Sequence, residues 1–419
     1  MLYYEAFAQT DVGKKRKQNE DSYILDKELH LFVIADGMGG HAAGEVASAQ
    51  ACQELKRVIG EQKTLLKQYQ DGPNPANRKQ IRQMLDKAIN TANSAILRLA
   101  NQNPAMRGMG TTLSCLLLLG RQGFIAHVGD SRIYLIRAGK IHQLTEDHSF
   151  ANEYRKKQKQ GQISEEDIEQ SPYRKMLTRS VGIGSWLEVD LIDLELEQGD
   201  RFILTSDGVT DMLKDEDLLT QGKSGRIETI PEKLVNMANE RGGHDNITTI
   251  TIEVKSQASQ INETPTLPTL PTQKINSLGA IPLFKKLSYT DLTQVANLLE
   301  TREYSPNERI MSEGETGDCF CICVEGDLVV EKSNTAIARF GPGDYFGEMA
   351  LVDNSPRSAT VIAQQTSKIL IMKRKDFLDL MRQNPNIAIK FLMNFTRVLT
   401  ERLRKTTEYS IQAGKKAKK

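Results

Sequence analysis

Residues 256–277, SQASQINETPTLPTLPTQKINS, are rich in Pro, Thr, Ser and Gln and hold hardly a bulky apolar side chain. A stretch of that composition reads as an extended linker, and it divides the chain in two. The 419 residues are about two to three times a typical domain length, which by itself asks for more than one core. The expected organisation is a first domain over residues 1–255, the linker over 256–277, a second domain over 278–405 and a basic tail over 406–419. The tail ends GKKAKK and reads as a frayed, solvated terminus.

Charge excludes some functions. With 55 Lys and Arg against 54 Asp and Glu, the chain lacks the basic excess of a protein built on nucleic acid or an anionic membrane. Its longest apolar run, TLSCLLLL at 112–119, is too short to span a bilayer, and the N-terminus lacks the order of a signal peptide. Five cysteines without framework spacing suit a reducing compartment, so a cytoplasmic protein is expected. Cys319, Cys321 and Cys323 alternate in DCFCICVEG and would share one face of a strand, as small buried side chains rather than metal ligands.

Before the linker, apolar strand-like runs (HLFVIAD, TTLSCLLLLG, FIAHVGD, RIYLIRAG, RFILTSDG, NITTITIEV) are interleaved with helical ones, best seen in EVASAQACQELKRVI and KQIRQMLDKAINTANSAILRLA. Sheets flanked by helices follow. After it, LSYTDLTQVANLLE reads as a helix, then short strands with Gly-Asp turns run to about residue 372, and a helical segment breaks at Pro385.

Several of the first domain's strands meet an aspartate at one end. HLFVIAD stops on Asp36, FIAHVGD on Asp130, RFILTSDG passes to Asp207, and Asp245 stands just before NITTITIEV. Paired antiparallel, such strands would bring four carboxylates to one rim of a sheet. One such Asp alone reads as a turn cap. Four together repel unless protons or cations neutralise them, and an all-oxygen set suits Mg2+ or Mn2+ rather than zinc. Two ions sharing Asp36 could hold a bridging hydroxide, a nucleophile for phosphoesters. The glycines that follow Asp36 leave room for backbone carbonyls and solvent.

These residues resemble the metal-dependent Ser/Thr protein phosphatases of type 2C in their short bacterial form. The resemblance rests on RKQNED (16–21), DGMGGHAAGE (36–45), GMGTTL (108–113), HVGDSR (127–132), LTEDHS (144–149), SDGVTD (206–211) and DN (245–246). It implies a four-layer α/β/β/α sandwich of the α+β class, with Asp36, Asp207 and Asp245 and the Gly37 carbonyl around two metals. It further implies Glu20 and Asp21 at the edge of those metals, Asp130 with Asp207 at a third, and Arg16 gripping the substrate phosphate, for which a guanidinium fork is well shaped. Met38 stands where many eukaryotic members carry a general-acid His, leaving His41, solvent or metal-bound water as the proton source. Residues 145–180 would form a flap beside the site.

In the second domain, FGEMALVDNSPRSATV (346–361) sets a glycine before a short helix-like turn, an acidic residue next, and an arginine nine positions later. A cyclic phosphodiester needs free helix N–H groups, a cation for phosphate and a carboxylate for a ribose hydroxyl. The segment resembles the phosphate-binding cassette of cyclic-nucleotide-binding domains, a helix-flanked β-roll. That likeness implies Glu348 on the ribose, Arg357 on the phosphate, and the Gly347, Met349 and Ala350 backbones beside it. Ser358 leaves cAMP and cGMP both open. The expected protein is thus a phosphatase of phosphoserine and phosphothreonine proteins that senses cyclic nucleotide. Its rivals are a non-catalytic phosphoprotein scaffold, and an active phosphatase whose roll is a ligand-free docking or dimerisation surface.

Overall fold

The computed structural model describes residues 2–39, 43–159, 164, 166, 171, 173, 176–256, 270–353 and 355–416. His41, residues 257–269 of the linker and parts of the 145–180 flap lie outside the described residues. The chain forms two compact units, Met1–Thr264 and Pro265–Lys419.

The first unit holds two sheets. One, in the order β1-β11-β10-β7-β8, comprises Leu2–Asp11, Ile247–Ser256, Arg201–Thr205, Arg132–Arg137 and Lys140–Gln143. The other, in the order β2-β3-β5-β6-β9, comprises Asp21–Asp26, Leu31–Met38, Leu113–Leu119, Gln122–Val128 and Asp190–Glu195, with the short β4 (Gly110–Thr111) pairing β3. Strand alternation explains the layers. Leu31, Val33 and Ala35 pack with Leu55, Leu85 and Ile89 of helices α1 (Ala43–Gly60) and α3 (Pro75–Gln102). Phe32 and Ile34, also buried, face the other way, toward the second sheet. On that sheet Tyr134, Ile136 and Ile203 meet Leu218, Leu234 and Val235 of the helices Asp215–Lys223 and Ile230–Glu240. The result is the expected α/β/β/α sandwich, in which each fully buried Leu or Ile contributes about 1.5–3 kcal/mol.

The second unit is the expected helix-flanked β-roll. Its two four-stranded sheets run β12 (Leu299–Tyr304), β19 (Ser367–Lys373), β14 (Cys319–Glu325), β17 (Tyr345–Phe346) and β13 (Arg309–Met311), β18 (Thr360–Ala363), β15 (Leu328–Lys332), β16 (Thr335–Phe340). On β14 (Cys319–Glu325) and β19 (Ser367–Lys373), Phe320, Ile322, Leu370 and Met372 face a helical layer with Phe377 and Phe391, while Cys321, Cys323 and Ile369 face the interior of the roll. The three alternating cysteines thus share one face, as their spacing predicts, but Cys319, expected to be buried, is partly exposed because it is the first residue of its strand.

The linker is shorter than its composition suggests. Leu270–Ala280 is a helix, and its Ile275 and Leu278 are buried with Phe284 and Phe391. Pro271 stands in the first turn, where a missing N–H costs no intrahelical bond, so the proline that reads as linker is compatible with the helix. Strand β11 likewise extends through Ser256.

Candidate functional site

The carboxylates gather at one end of the sandwich, and they come from both sheets rather than one. Asp21 opens β2 and Asp36 lies near the end of β3, directly opposite in the antiparallel register. Asp130 follows β6, Asp207 follows β10 as the first residue of a short helix, and Asp245 precedes β11. The single-sheet rim expected from sequence is therefore corrected: β10 and β11 belong to the facing sheet, and the site lies where two sheets open.

Asp21 ties the layers together. Its Oδ2 accepts from Ser206 Oγ at 2.8 Å and from Thr248 Oγ1 at 2.6 Å, both on the opposite sheet, while its Oδ1 is buried with no hydrogen-bond partner. Asp36 is held through its backbone: its N–H donates to Thr112 Oγ1, and Thr111 Oγ1 and Thr112 N–H donate to its carbonyl, each at 2.9 Å. Beside it, Gly37 is required by space, because a Cβ there would lie 2.2 Å from the Gly44 carbonyl oxygen at the start of α1.

Crowding shows in the protonation equilibria. Burial, then the charges of Asp21, Asp207, Asp130 and Asp245, push the Asp36 carboxyl well above its usual range. Burial raises Asp21 to about 7 against the bonds from Thr248 and Ser206. Asp130 also rises to about 7, through burial and then Asp207 and Asp147. Glu20 is raised too, by burial first, and a Cβ on Gly44 would lie 2.8 Å from its carboxyl. Such a set holds its charge only beside cations.

The residues fit hard divalent ions: the donors are all oxygen, and one buried carboxylate oxygen lacks any donor. Among the described residues no three His, Cys, Asp or Glu side chains close on one point. An ion here would complete its shell with water and backbone oxygen, as Mg2+ commonly does.

Arg16 lies at the same place, on the loop between β1 and β2. Its Nη2 donates to Asp245 Oδ2 at 2.7 Å, and the charges of Asp245, Glu20 and Asp36 all act on it. Lys14 N–H bonds to the Gly243 carbonyl at 2.8 Å, pinning that loop to the one that carries Asp245. Met38 ends β3 against Gly110. Behind the centre, Gly129 N–H donates to His148 Nδ1 at 3.1 Å, and Arg132 grips Asp147 at 2.8 and 2.7 Å, so the HVGDSR and LTEDHS motifs form one framework. The Asn246 side chain joins Glu20 N–H to the Val12 and Gln18 carbonyls. The sequence motifs include Ser206, Thr112 and Asn246 without giving them a role, and omit Thr248. Their signal was polarity inside apolar strands: Thr248, Thr249 and Thr251 of β11 are all buried.

In the second unit Gly347 adopts φ 74° and opens a short 3₁₀ turn, Glu348–Leu351. A Cβ there would lie 2.7 Å from Arg357 Nη1. Arg357 is 8% exposed, and its guanidinium donates to the Cys319 carbonyl at 2.8 Å and the Gly347 carbonyl at 3.5 Å. Its described partners are two carbonyls and a thiol, with no carboxylate among them, which leaves the guanidinium face able to meet an anion. Ala350 is buried, whereas Met349 and Ser358 are exposed.

Comparison with known proteins agrees with both units. Residues 13–249 match the family described as protein phosphatase 2C, and residues 301–384 match the cyclic nucleotide-binding domain. Protein phosphatase PhpP of Streptococcus pneumoniae is 36% identical over 257 residues, covering 60% of this chain and 98% of that protein. The serine/threonine protein phosphatase PstP of Mycobacterium tuberculosis is 34% identical over 247 residues, 59% of this chain and 44% of that one. The structure of the PstP catalytic domain with two manganese ions superposes with a TM-score of 0.52 at 32% identity, covering 61% of this chain and all of that one. Fold and acidic centre define a metal-dependent protein-serine/threonine phosphatase that also carries a cyclic nucleotide-binding domain. The chain belongs to the protein phosphatase 2C family.

Proposed function

We propose that this chain hydrolyses phosphoserine and phosphothreonine esters of other proteins in the cytoplasm under the control of cAMP or cGMP. The observation that carries the catalytic half is the convergence of Asp21, Asp36, Asp130, Asp207 and Asp245 from two sheets with Arg16 bonded into the same group. Asp36, Asp207, Asp245 and the Gly37 carbonyl would hold two Mn2+ or Mg2+ ions, Glu20 and Asp21 would order their surroundings, and Asp130 with Asp207 would hold a third. When bound, the ions supply charge neutralisation and an activated water.

The chain's own residues do the rest. Arg16 pairs phosphoryl oxygens with its guanidinium fork, trading its bond to Asp245 for the substrate dianion. Thr111, Thr112, Ser206 and Thr248 keep Asp36 and Asp21 from turning away. With Met38 beside Gly110, no His follows the Asp36–Gly37 pair, and solvent protonates the leaving alkoxide.

The sensing half rests on the buried Arg357 guanidinium, whose described partners are two carbonyls and a thiol. Residues 278–405 bind the nucleotide, with Arg357 and the Gly347, Met349 and Ala350 backbones on phosphate, Glu348 on ribose and Ser358 near the base. A ligand changes activity only through unequal affinity for the active and inactive states, and the coupling is reciprocal.

The test is phosphopeptide hydrolysis by the full chain with Mn2+, titrated with cAMP and separately with cGMP, with Asp36→Asn as the blank. Turnover lost in the blank and altered by one nucleotide supports both halves. Turnover indifferent to both nucleotides removes the regulatory half, and no turnover removes the catalytic one.

A further inference from the structure

Arg357 has a second neighbour besides the carbonyls. Its Nη2 donates to Cys319 Sγ at 3.2 Å, so a thiol stands at the guanidinium that an anion would seek. Of the five cysteines, all unpaired, Cys52, Cys115, Cys321 and Cys323 are buried and Cys319 alone is partly exposed. The placement follows from the strand: Cys319 is the first residue of β14, where its backbone carbonyl is taken by Arg357 and its side chain reaches the same nitrogen.

We propose that Cys319 is a modification site for small electrophiles and hydroperoxides, activated by Arg357, and that its modification obstructs the anion pocket. The cation favours a thiolate, which is the reactive form. Among the thiols the direction of titration agrees: the hydrogen bond with Cys321 and then the charge of Arg357 lower Cys319, whereas burial lifts Cys52 to about 12 and Cys323 to about 11.

In alkylation the sulfur attacks the methylene of iodoacetamide; a C–S bond forms, the C–I bond breaks and iodide leaves with the electron pair. With a hydroperoxide the sulfur attacks the terminal oxygen. An S–O bond forms as O–O breaks, sulfur loses two electrons, and the other oxygen departs as alcohol or water with the thiol proton. Either product adds bulk within reach of Arg357. An acetamide or sulfenyl oxygen can also take the guanidinium donors meant for phosphate.

This inference rests in part on the nucleotide-binding reading, and the experiment separates the two. The full chain is treated with limiting iodoacetamide at pH 7, with or without cAMP or cGMP, and each cysteine is quantified by peptide mass spectrometry. A second set uses hydrogen peroxide followed by a sulfenic-acid trap. Cys319 should react at least tenfold faster than any other cysteine, slow severalfold in Arg357→Gln, and be protected by the bound nucleotide. The alkylated protein should lose nucleotide-dependent thermal stabilisation, while Cys319→Ser keeps it and resists iodoacetamide. Equal labelling of Cys319 and the buried cysteines, or undiminished nucleotide binding after complete labelling, overturns the proposal. If the unlabelled chain binds neither nucleotide, the sensing reading fails, and the labelling rates with and without Arg357 decide whether Cys319 is the activated thiol.

Discussion

Asp21 and Asp36 stand opposite each other on β2 and β3, and only one carboxylate oxygen of Asp21 is satisfied, by Ser206 and Thr248 from the facing sheet. Two carboxylates paired across a ladder repel, and burial strengthens the repulsion. The sandwich therefore carries a local electrostatic cost that a bound cation would remove.

Asp36→Asn should separate stability from turnover. In chelator at pH 8, where the wild-type carboxylates are driven toward ionisation, removing one charge should stabilise the phosphatase unit by about 1 kcal/mol, or ~2–4 °C in Tm. With Mn2+ the order should reverse, because the intact site binds ions only when folded. Activity should fall on the order of 10³-fold, about 4 kcal/mol of barrier. Thermal melts of both proteins in chelator and in Mn2+ check this; a variant less stable in chelator would contradict the repulsion argument.

His127 should give acid sensitivity. It is fully buried between Ser114 Oγ at 2.9 Å and the Glu146 carbonyl at 3.1 Å. Burial, and then His148, lower its pKa from 6.5 to about 3. The unfolded chain thus takes up a proton that the folded one refuses. That contribution to stability is fully present above pH 6.5 and lost as pH falls toward 3. His127→Gln should lose less stability between pH 7 and about 4.5 than wild type does, by on the order of 1–3 kcal/mol. Urea unfolding at the two pH values measures the difference, and parallel losses would refute the assignment.

Arg137 and Asp200 form a buried pair, 4% and 1% exposed, with bonds of 2.7 and 2.6 Å. Arg137→Met should destabilise by about 3–5 kcal/mol, because it strands Asp200, and with it Glu197 at 3.3 Å, without a counter-charge. Adding Asp200→Leu should restore part of that loss, Glu197 remaining buried without its cation. A double-mutant cycle on unfolding free energies tests the coupling; additive effects would show that the pair is not a unit.

Gly347→Val should disable the second unit's pocket. The φ of 74° costs a β-branched residue at least about 1–2 kcal/mol, and the Cβ would press on Arg357 Nη1 at 2.7 Å. Isothermal titration with cAMP and cGMP should show at least a tenfold loss in affinity, with Gly341→Val, at a position where a Cβ meets nothing, as the control. Retained affinity would remove Gly347 from the pocket.

Much of both units is legible in the residues. The apolar run HLFVIAD foretells a buried strand, and the helical spacing in 79–100 foretells α3, whereas that Val33 faces the helices and Phe32 and Ile34 the other sheet is read from the packing. Less legible were β1, whose LYYEAFAQTD is mostly half-buried, and the helix beginning at Leu270, which a proline-rich surround disguised. Composition reports the average environment of a segment, whereas Ile275 and Leu278 owe their helix to a core built by residues far along the chain.

The amino-acid order by itself determined which carboxylates stand at strand ends and that Arg357 follows Glu348 at nine residues' distance. Local sterics and periodicity suffice for those, since each depends on near neighbours. Only the tertiary structure decided that the aspartates meet between two sheets, that Ser206 and Thr248 hold Asp21, and that Cys319 lies on Arg357. The last two relations join residues from 38 to 227 positions apart, and such proximity is set by how the strands pair and the layers pack.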